Sequence, residues 1–229
     1  MATIAANLQA VQERIARAAA AAGRRADEIA LVAVSKTFPA ARIAEAHAAG
    51  QRVFGENHLQ EAVEKITLLA HLPLEWHFIG PIQSNKTHPL ARQFQWVHSV
   101  ERGKIAQRLS DARPEGLPPL DVCIQVNVSG EASKSGVAPG EEARLAEAIA
   151  RLPRLRLRGL MAIPEPTPDA ALQRRRFALL RELKEKLAAR GHPLDTLSMG
   201  MSDDLEAAIL EGATLVRVGT AIFGQRQKA

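Results

Sequence analysis

The stretch LVAVSKTFPA, Leu31 to Ala40, decides how this chain is read. Its apolar start carries β-branched Val32 and Val34, and Ser35, Thr37 and Pro39 bound it. That pattern predicts a strand buried on both faces. Two architectures begin in this way. A doubly wound open sheet usually places a glycine-rich phosphate turn directly after its first strand, and here SKTFPA stands in that place. The stretch therefore favours a closed barrel. Lys36, at the mouth of the strand, raises a second question. An isolated ammonium is costly to desolvate, so this side chain either reaches water or has a chemical task.

Outward from that stretch, strand-like runs alternate with helical patterns. The runs are residues 31–35, 52–57, 75–80, 94–100, 120–128, 155–163, 195–200 and 214–219. Helical patterns separate them, among them AARIAEAHAAG, HLQEAVEKITLLA, GEEARLAEAIARL and QRRRFALLRELKEKLAARG. Strands alternating with helices pair in parallel, and this count closes a (β/α)₈ TIM barrel. No Gly/Ser-rich linker interrupts the chain, so 1–229 is expected to be one α/β domain. The barrel should occupy 31–224. Ile4, Leu8, Val11 and Ile15 at helical spacing predict an extra N-terminal helix within 1–22, suited to covering the barrel floor.

The formal charge is +5, and 22 Arg outnumber 8 Lys. The arginines are spread out apart from RLPRLRLRG and QRRRF, which read as solvated faces of a strand and a helix. With six Phe, two Trp and no reading motif, nucleic acid is not an expected partner. No apolar stretch approaches the roughly 20 residues of a membrane span. The lone Cys123 rules out an intramolecular disulfide, and the start of the chain does not resemble a targeting peptide. A cytoplasmic monomer is expected.

In such a barrel the residues ending each strand gather on one rim. Here they include Lys36, Glu56, Asn57, Gly80, Ser99, Asn127, Met161, Ser198, Gly200, Arg217, Gly219 and Thr220. After the seventh run comes SMGMSDDLEAAI, where Gly200 permits close backbone approach and Ser202 can cap the next helix. After the eighth comes GTAIFG. Loops at these two strands commonly hold phosphate in barrels, although small residues there also serve as plain turns and caps. An amine on the first strand facing a phosphate cradle suggests pyridoxal 5′-phosphate (PLP), whose aldehyde a lysine can capture. Lys36 would be the tether. A barrel binding another phosphorylated metabolite, with Lys36 as a simple cation, is the other reading.

The segments AVSKT, FGENHLQEA, WHFIGPIQSNK, HSVER, QVNVSGEASKSG, GLMAIP and LSMGMSDDLEAAILEGATLVRVGTAIFG run in order from residue 33 to 224. In them the chain resembles the pyridoxal phosphate homeostasis proteins, which share a barrel with the N-terminal domain of alanine racemase. The resemblance implies that Lys36 carries PLP as a covalent aldimine. It implies that Ser198, Gly200, Met201, Gly219 and Thr220 line the phosphate and that Arg217 faces the pyridine nitrogen. Asn57 and Met161 would lie against the ring or its substituents. The implied task is intracellular vitamin B6 homeostasis, in which PLP is held, buffered and passed to apo-enzymes that meet the protein transiently.

The alternative is a PLP-dependent enzyme with weak racemase-type activity. The racemase route pairs a lysine with a tyrosine from a separate C-terminal domain, and this chain has no tyrosine. His77 and His98 are substitute bases only if they leave their ordinary place as packed strand histidines. An arginine at the pyridine nitrogen also weakens carbanion formation, because it keeps that nitrogen unprotonated, although alanine racemases tolerate the same pairing. Binding with little or no turnover is therefore expected; Lys134 in the loop SGEASKSG reads first as a solvated loop lysine and second as an aid to exchange.

Overall fold

The computed structural model describes residues 3–131 and 135–225. Eight strands close a barrel in chain order, and every neighbouring pair is parallel. They are β1 (Ala30–Val34), β2 (Val53–Glu56), β3 (Glu75–Phe78), β4 (Trp96–Val100), β5 (Leu120–Gln125), β6 (Leu155–Met161), β7 (Thr196–Ser198) and β8 (Leu215–Val218). The ring seals between β1 and β8, with register from Ala30↔Leu215 to Ala33↔Val218. All eight predicted runs contain a strand. Most stop short of the predicted limit because their last residues leave the ladder to build the rim.

The helices are α1 (Ile4–Ala21), α2 (Ala40–Ala48), α3 (Leu59–Leu68), α4 (Thr87–Gln93), α5 (Gly103–Ala112), α6 (Glu142–Ala150), α7 (Ala170–Ala189), α8 (Leu205–Leu210) and α9 (Thr220–Phe223). Their boundaries follow local chemistry. Asp169 caps α7 by accepting from the N–H groups of Ala171 and Leu172. Phe177, Leu180, Leu183 and Leu187 then bury one face of that helix. Thr3 caps α1, which buries Ile4, Leu8, Val11 and Ile15.

The N-terminal helix does not cover the floor. It packs against α2, α8 and α9, in the outer ring of helices. The reason is that α9 has only four residues and is too short to shield its side of the barrel. Arg14 fastens α1 to Glu206 and to the Ser202 carbonyl, and Asn7 donates to the Ile222 carbonyl.

Two apolar regions result. A continuous shell fills the space between sheet and helices, with Phe54, Val97, Ile124, Leu160 and Val216 pointing outward from the strands. Each such burial is worth about 1.5–3 kcal/mol. A smaller cluster, Val32, Trp96, Cys123, Met161 and Leu215, lies inside the barrel. Branched aliphatic residues usually fill such an interior. Here His77, His98, Ser198 and Arg217 are buried there as well. Among the described residues, no helix is long and apolar enough to cross a membrane.

Candidate functional site

The site begins with the turn after β1. Lys36 lies two residues beyond the last strand residue, in a turn closed by the Phe38 N–H donating to the Ser35 carbonyl at 3.1 Å. The same turn holds Thr37 at φ 69°, the one non-glycine residue with positive φ among those described. Such a conformation costs about 1–2 kcal/mol for an L-residue and persists only where its surroundings enforce it. Three groups do so. The Ser35 hydroxyl donates to Glu56 Oε1 at 2.6 Å, and Lys65 Nζ donates to the Ser35 carbonyl at 2.8 Å. Glu61 Oε1 accepts the Thr37 N–H at 2.6 Å.

Lys65 ties this brace together, pairing with Glu56 at 2.7 Å and with Glu61 from within the same helix. Both Lys65 and Glu56 are buried. Burial pushes the Glu56 carboxyl above its ordinary value, and Lys65 pulls against that shift. Sequence reading named Glu56 only as a rim residue and gave Lys65 no part. A lysine four residues after Glu61 on α3 was the available signal, but it is also an ordinary helix ion pair.

Across the rim, β7 and β8 deliver the other wall. Gly200 has φ 94°, and a Cβ there would lie 2.7 Å from the Ala208 methyl, so the turn requires glycine. Its carbonyl accepts the Arg217 N–H at 2.9 Å, which locks the two rim segments together. Ser202 does not cap the next helix as predicted. Asp204 is the cap residue of α8, and its carboxylate accepts the Met201 N–H at 2.6 Å. The shorter reach from Asp204 back to Met201 folds the loop onto itself, and Ser202 is left facing the cavity.

Between these walls is a cavity of about 360 Å³. Lys36, Asn57, Arg217, Gly219 and Thr220, which the sequence places on the rim, line it together with Met201, which the family resemblance implies. Val34, Phe38, Ile79, Gly80, Pro81, Ile163, Ser202 and Asp203 complete the lining. Gly80 makes room for Asn57: a Cβ there would sit 2.3 Å from the Asn57 carbonyl oxygen. The Asn57 side-chain oxygen is buried without a hydrogen-bond partner, an arrangement that costs free energy until a ligand donor meets it. Three predicted residues sit below or behind the lining. Met161 packs in the barrel interior, Ser198 lies under Arg217, and Gly200 contributes through its backbone.

Arg217 is 2% exposed. It donates to Ser198 Oγ at 2.6 Å and to the Ala162 carbonyl at 2.8 Å. Among the described residues it makes no ion pair. Burial lowers its pKa to about 10, so it stays cationic at neutral pH. Neither His77 nor His98 lines the cavity; both are buried below it. The arginine clusters are paired surfaces, with Arg156 and Arg158 on Asp121 and Arg174 on Glu211. Lys134 lies outside the described residues.

A larger trough of about 560 Å³ runs beside α3 and shares Asn57 and Pro81 with this cavity. It lacks both Lys36 and Arg217, so the smaller cavity is the candidate site.

Comparison with known proteins agrees in scale. Residues 6–227 match the family model described as alanine racemase, N-terminal domain. The chain is 67% identical over 226 residues to the pyridoxal phosphate homeostasis protein of Pseudomonas aeruginosa, covering 99% of this chain and 97% of that protein. It is similar to the solved structures of PipY from Synechococcus elongatus. The form without PLP has TM-score 0.87 at 37% identity, covering 97% of this chain and 100% of that one. The form with PLP bound has TM-score 0.80 at 38% identity, covering 92% of this chain and 100% of that one.

Proposed function

This chain belongs to the pyridoxal phosphate homeostasis proteins, and from that membership and the rim geometry we propose that it binds PLP and serves PLP homeostasis. The observation that carries the proposal is the cavity itself. It sets a primary amine, Lys36, and a buried guanidinium, Arg217, on walls supplied by β1 and β8. When bound, PLP supplies an aldehyde that a primary amine can capture reversibly.

In this reading Lys36 Nζ holds the aldehyde carbon as a Schiff base. The segments Met201–Ser202 and Gly219–Thr220 hold the phosphate. The first N–H groups of the α9 turn lack intrahelical acceptors and so favour an anion. Asp204 already accepts the Met201 N–H, which leaves Ser202 and the Gly219–Thr220 segment as the donors for that anion. The unpartnered Asn57 amide oxygen fits a hydroxyl on the ring, and Ile79 and Ile163 exclude water from its faces. Arg217 presents N–H donors only, so it keeps the pyridine nitrogen an acceptor.

That last feature favours storage over turnover. A permanent cation beside the nitrogen opposes its protonation, and the chain has no tyrosine to act as a second base. Both interior histidines are committed to hydrogen bonds below the cavity. The protein then acts as a cytoplasmic monomer that hands PLP to apo-enzymes it meets transiently.

The test is to load the purified protein with PLP, desalt it, and mix it with a PLP-requiring apo-enzyme. Retained visible absorption followed by activation of the apo-enzyme is expected. Lys36→Ala should emerge colourless. A wild-type protein that desalts colourless, or one that racemises alanine rapidly, contradicts the proposal.

A further inference from the structure

Beneath the cavity, five side chains form an unbroken hydrogen-bonded line. Glu75 Oε1 meets His77 Nε2 at 2.7 Å, and His77 Nδ1 meets His98 Nε2 at 2.8 Å. His98 Nδ1 meets Ser198 Oγ at 2.7 Å, and Ser198 Oγ accepts from Arg217 at 2.6 Å. Glu75 opens β3, at the strand ends opposite the cavity, and its side chain is 45% exposed there. The other four groups are buried. The line thus crosses the barrel from one mouth to the rim.

The chemistry of the two ends fixes every proton between them. A guanidinium can only donate and the Glu75 carboxylate can only accept, so with both rings neutral the one consistent order has Ser198 accept from Arg217 and give its own proton to His98 Nδ1. His98 then carries its proton on Nε2 and gives it to His77 Nδ1. His77 in turn carries its proton on Nε2 and gives it to the Glu75 carboxylate. Both imidazoles are neutral in this arrangement. Burial holds both below the ordinary histidine value, with His77 and Arg217 further opposing charge on His98.

We propose that Glu75, His77, His98 and Ser198 are positioning residues for Arg217, a one-directional chain through which the Glu75 carboxylate acts as remote counter-charge to the guanidinium. Coupling of this kind needs contiguous contacts, and all four links are of ordinary hydrogen-bond length. Aligned bonds in a low-dielectric interior polarise one another. The charged neighbours along the line are accounted for. Arg158 faces Glu75 but is held by Asp121 and Asp195, and Asp121 also acts on His77. The Trp96 indole donates to Glu75 and its ring stacks on His77 at 5.2 Å. Asp204 and the Cys123 thiol act on Arg217 only at a distance.

The effect at the pyridine nitrogen rests on the PLP reading; the chain itself does not. The test therefore has two parts. In the ligand-free protein, nitrogen-15 spectra of the imidazoles between pH 6 and 8 should show both rings neutral and protonated on Nε2. An Nδ1–H tautomer or an imidazolium at either ring overturns the chain. In the same ligand-free state, Glu75→Gln should move the Arg217 Nε resonance, whereas Asp27→Asn, also at that end of the barrel, should not. An unmoved resonance in Glu75→Gln overturns the coupling. In the PLP-loaded protein, Glu75→Gln should lower the pH midpoint of the visible band by about half a unit, roughly a threefold change in proton affinity. An intact band with an unchanged midpoint overturns the link to the cofactor. No visible band in the wild type refutes the PLP reading, while the ligand-free spectra still decide the chain.

Discussion

Lys36 and Arg217 face the same cavity, but the protein holds them in different ways. Lys36 rides on a turn braced from outside the barrel by Glu56, Glu61 and Lys65. Its own side chain lies half-buried on the cavity wall. Arg217 is fixed by its own guanidinium, which is buried and tied to Ser198 and the Ala162 carbonyl. The contrast follows their chemistry. An amine proposed to capture an aldehyde reversibly needs a rigid base that aims it. A cation that acts by its charge needs its head group immobilised.

The largest effect expected from breaking this contrast is at the brace. Lys65→Met leaves the Glu56 carboxylate buried without its cation, which should cost about 3–5 kcal/mol in denaturant unfolding. It should also loosen PLP, because the Ser35 carbonyl keeps only the Phe38 N–H of its two donors. A loss below about 1 kcal/mol would show that the brace is not under electrostatic tension. Next comes Ser198→Ala, which strands an Arg217 donor and the His98 acceptor. A loss of about 1–3 kcal/mol is expected, with the Lys36 turn undisturbed.

A smaller effect separates the two regions by pH. His77 and His98 stay neutral in the fold because burial lowers their pKa values. The unfolded chain therefore binds more protons below about pH 6.5, and stability must fall as pH drops through that point. Each ring contributes a slope of up to about 1.4 kcal/mol per pH unit. Glu56, whose pKa burial raises, acts with the opposite sign, since the fold then holds its proton more tightly than the unfolded chain. Comparing wild type with His98→Gln between pH 5 and 6.5 isolates the imidazole, and the variant should show the shallower slope. Equal slopes would mean the His98 ring is charged in the fold.

The smallest effect is at Thr37. Thr37→Gly removes the left-handed strain and should stabilise the fold by up to about 1 kcal/mol, offset by greater freedom of the unfolded chain. If strain helps aim Lys36, this more stable variant should retain PLP less well through desalting. Tighter retention would show that the turn is aimed by its hydrogen bonds alone.

The strands were legible because parallel-sheet interiors demand continuous apolar runs, and LVAVS and LDVCIQVNV satisfy that demand locally. The rim residues were legible for a related reason: strand ends point to one face in this architecture. The brace and the axial line were not. Lys65 meets Glu56 across two elements, and His77 meets His98 only once β3 lies beside β4. Alternation marks such residues as inward-facing, but no local pattern says which inward residues touch. The place of α1 was missed for another physical reason. GTAIFG reads as a phosphate loop, and nothing in it warns that α9 is too short to shield the barrel wall.

The central claim is that Lys36 Nζ is the covalent anchor for PLP. Borohydride reduction of the PLP-loaded protein, followed by mass analysis of its peptides, tests it most directly. The account predicts a reduced pyridoxyl phosphate adduct on Lys36 and no adduct in Lys36→Ala. An adduct placed on another lysine in the wild type, with Lys36 unmodified, would contradict it.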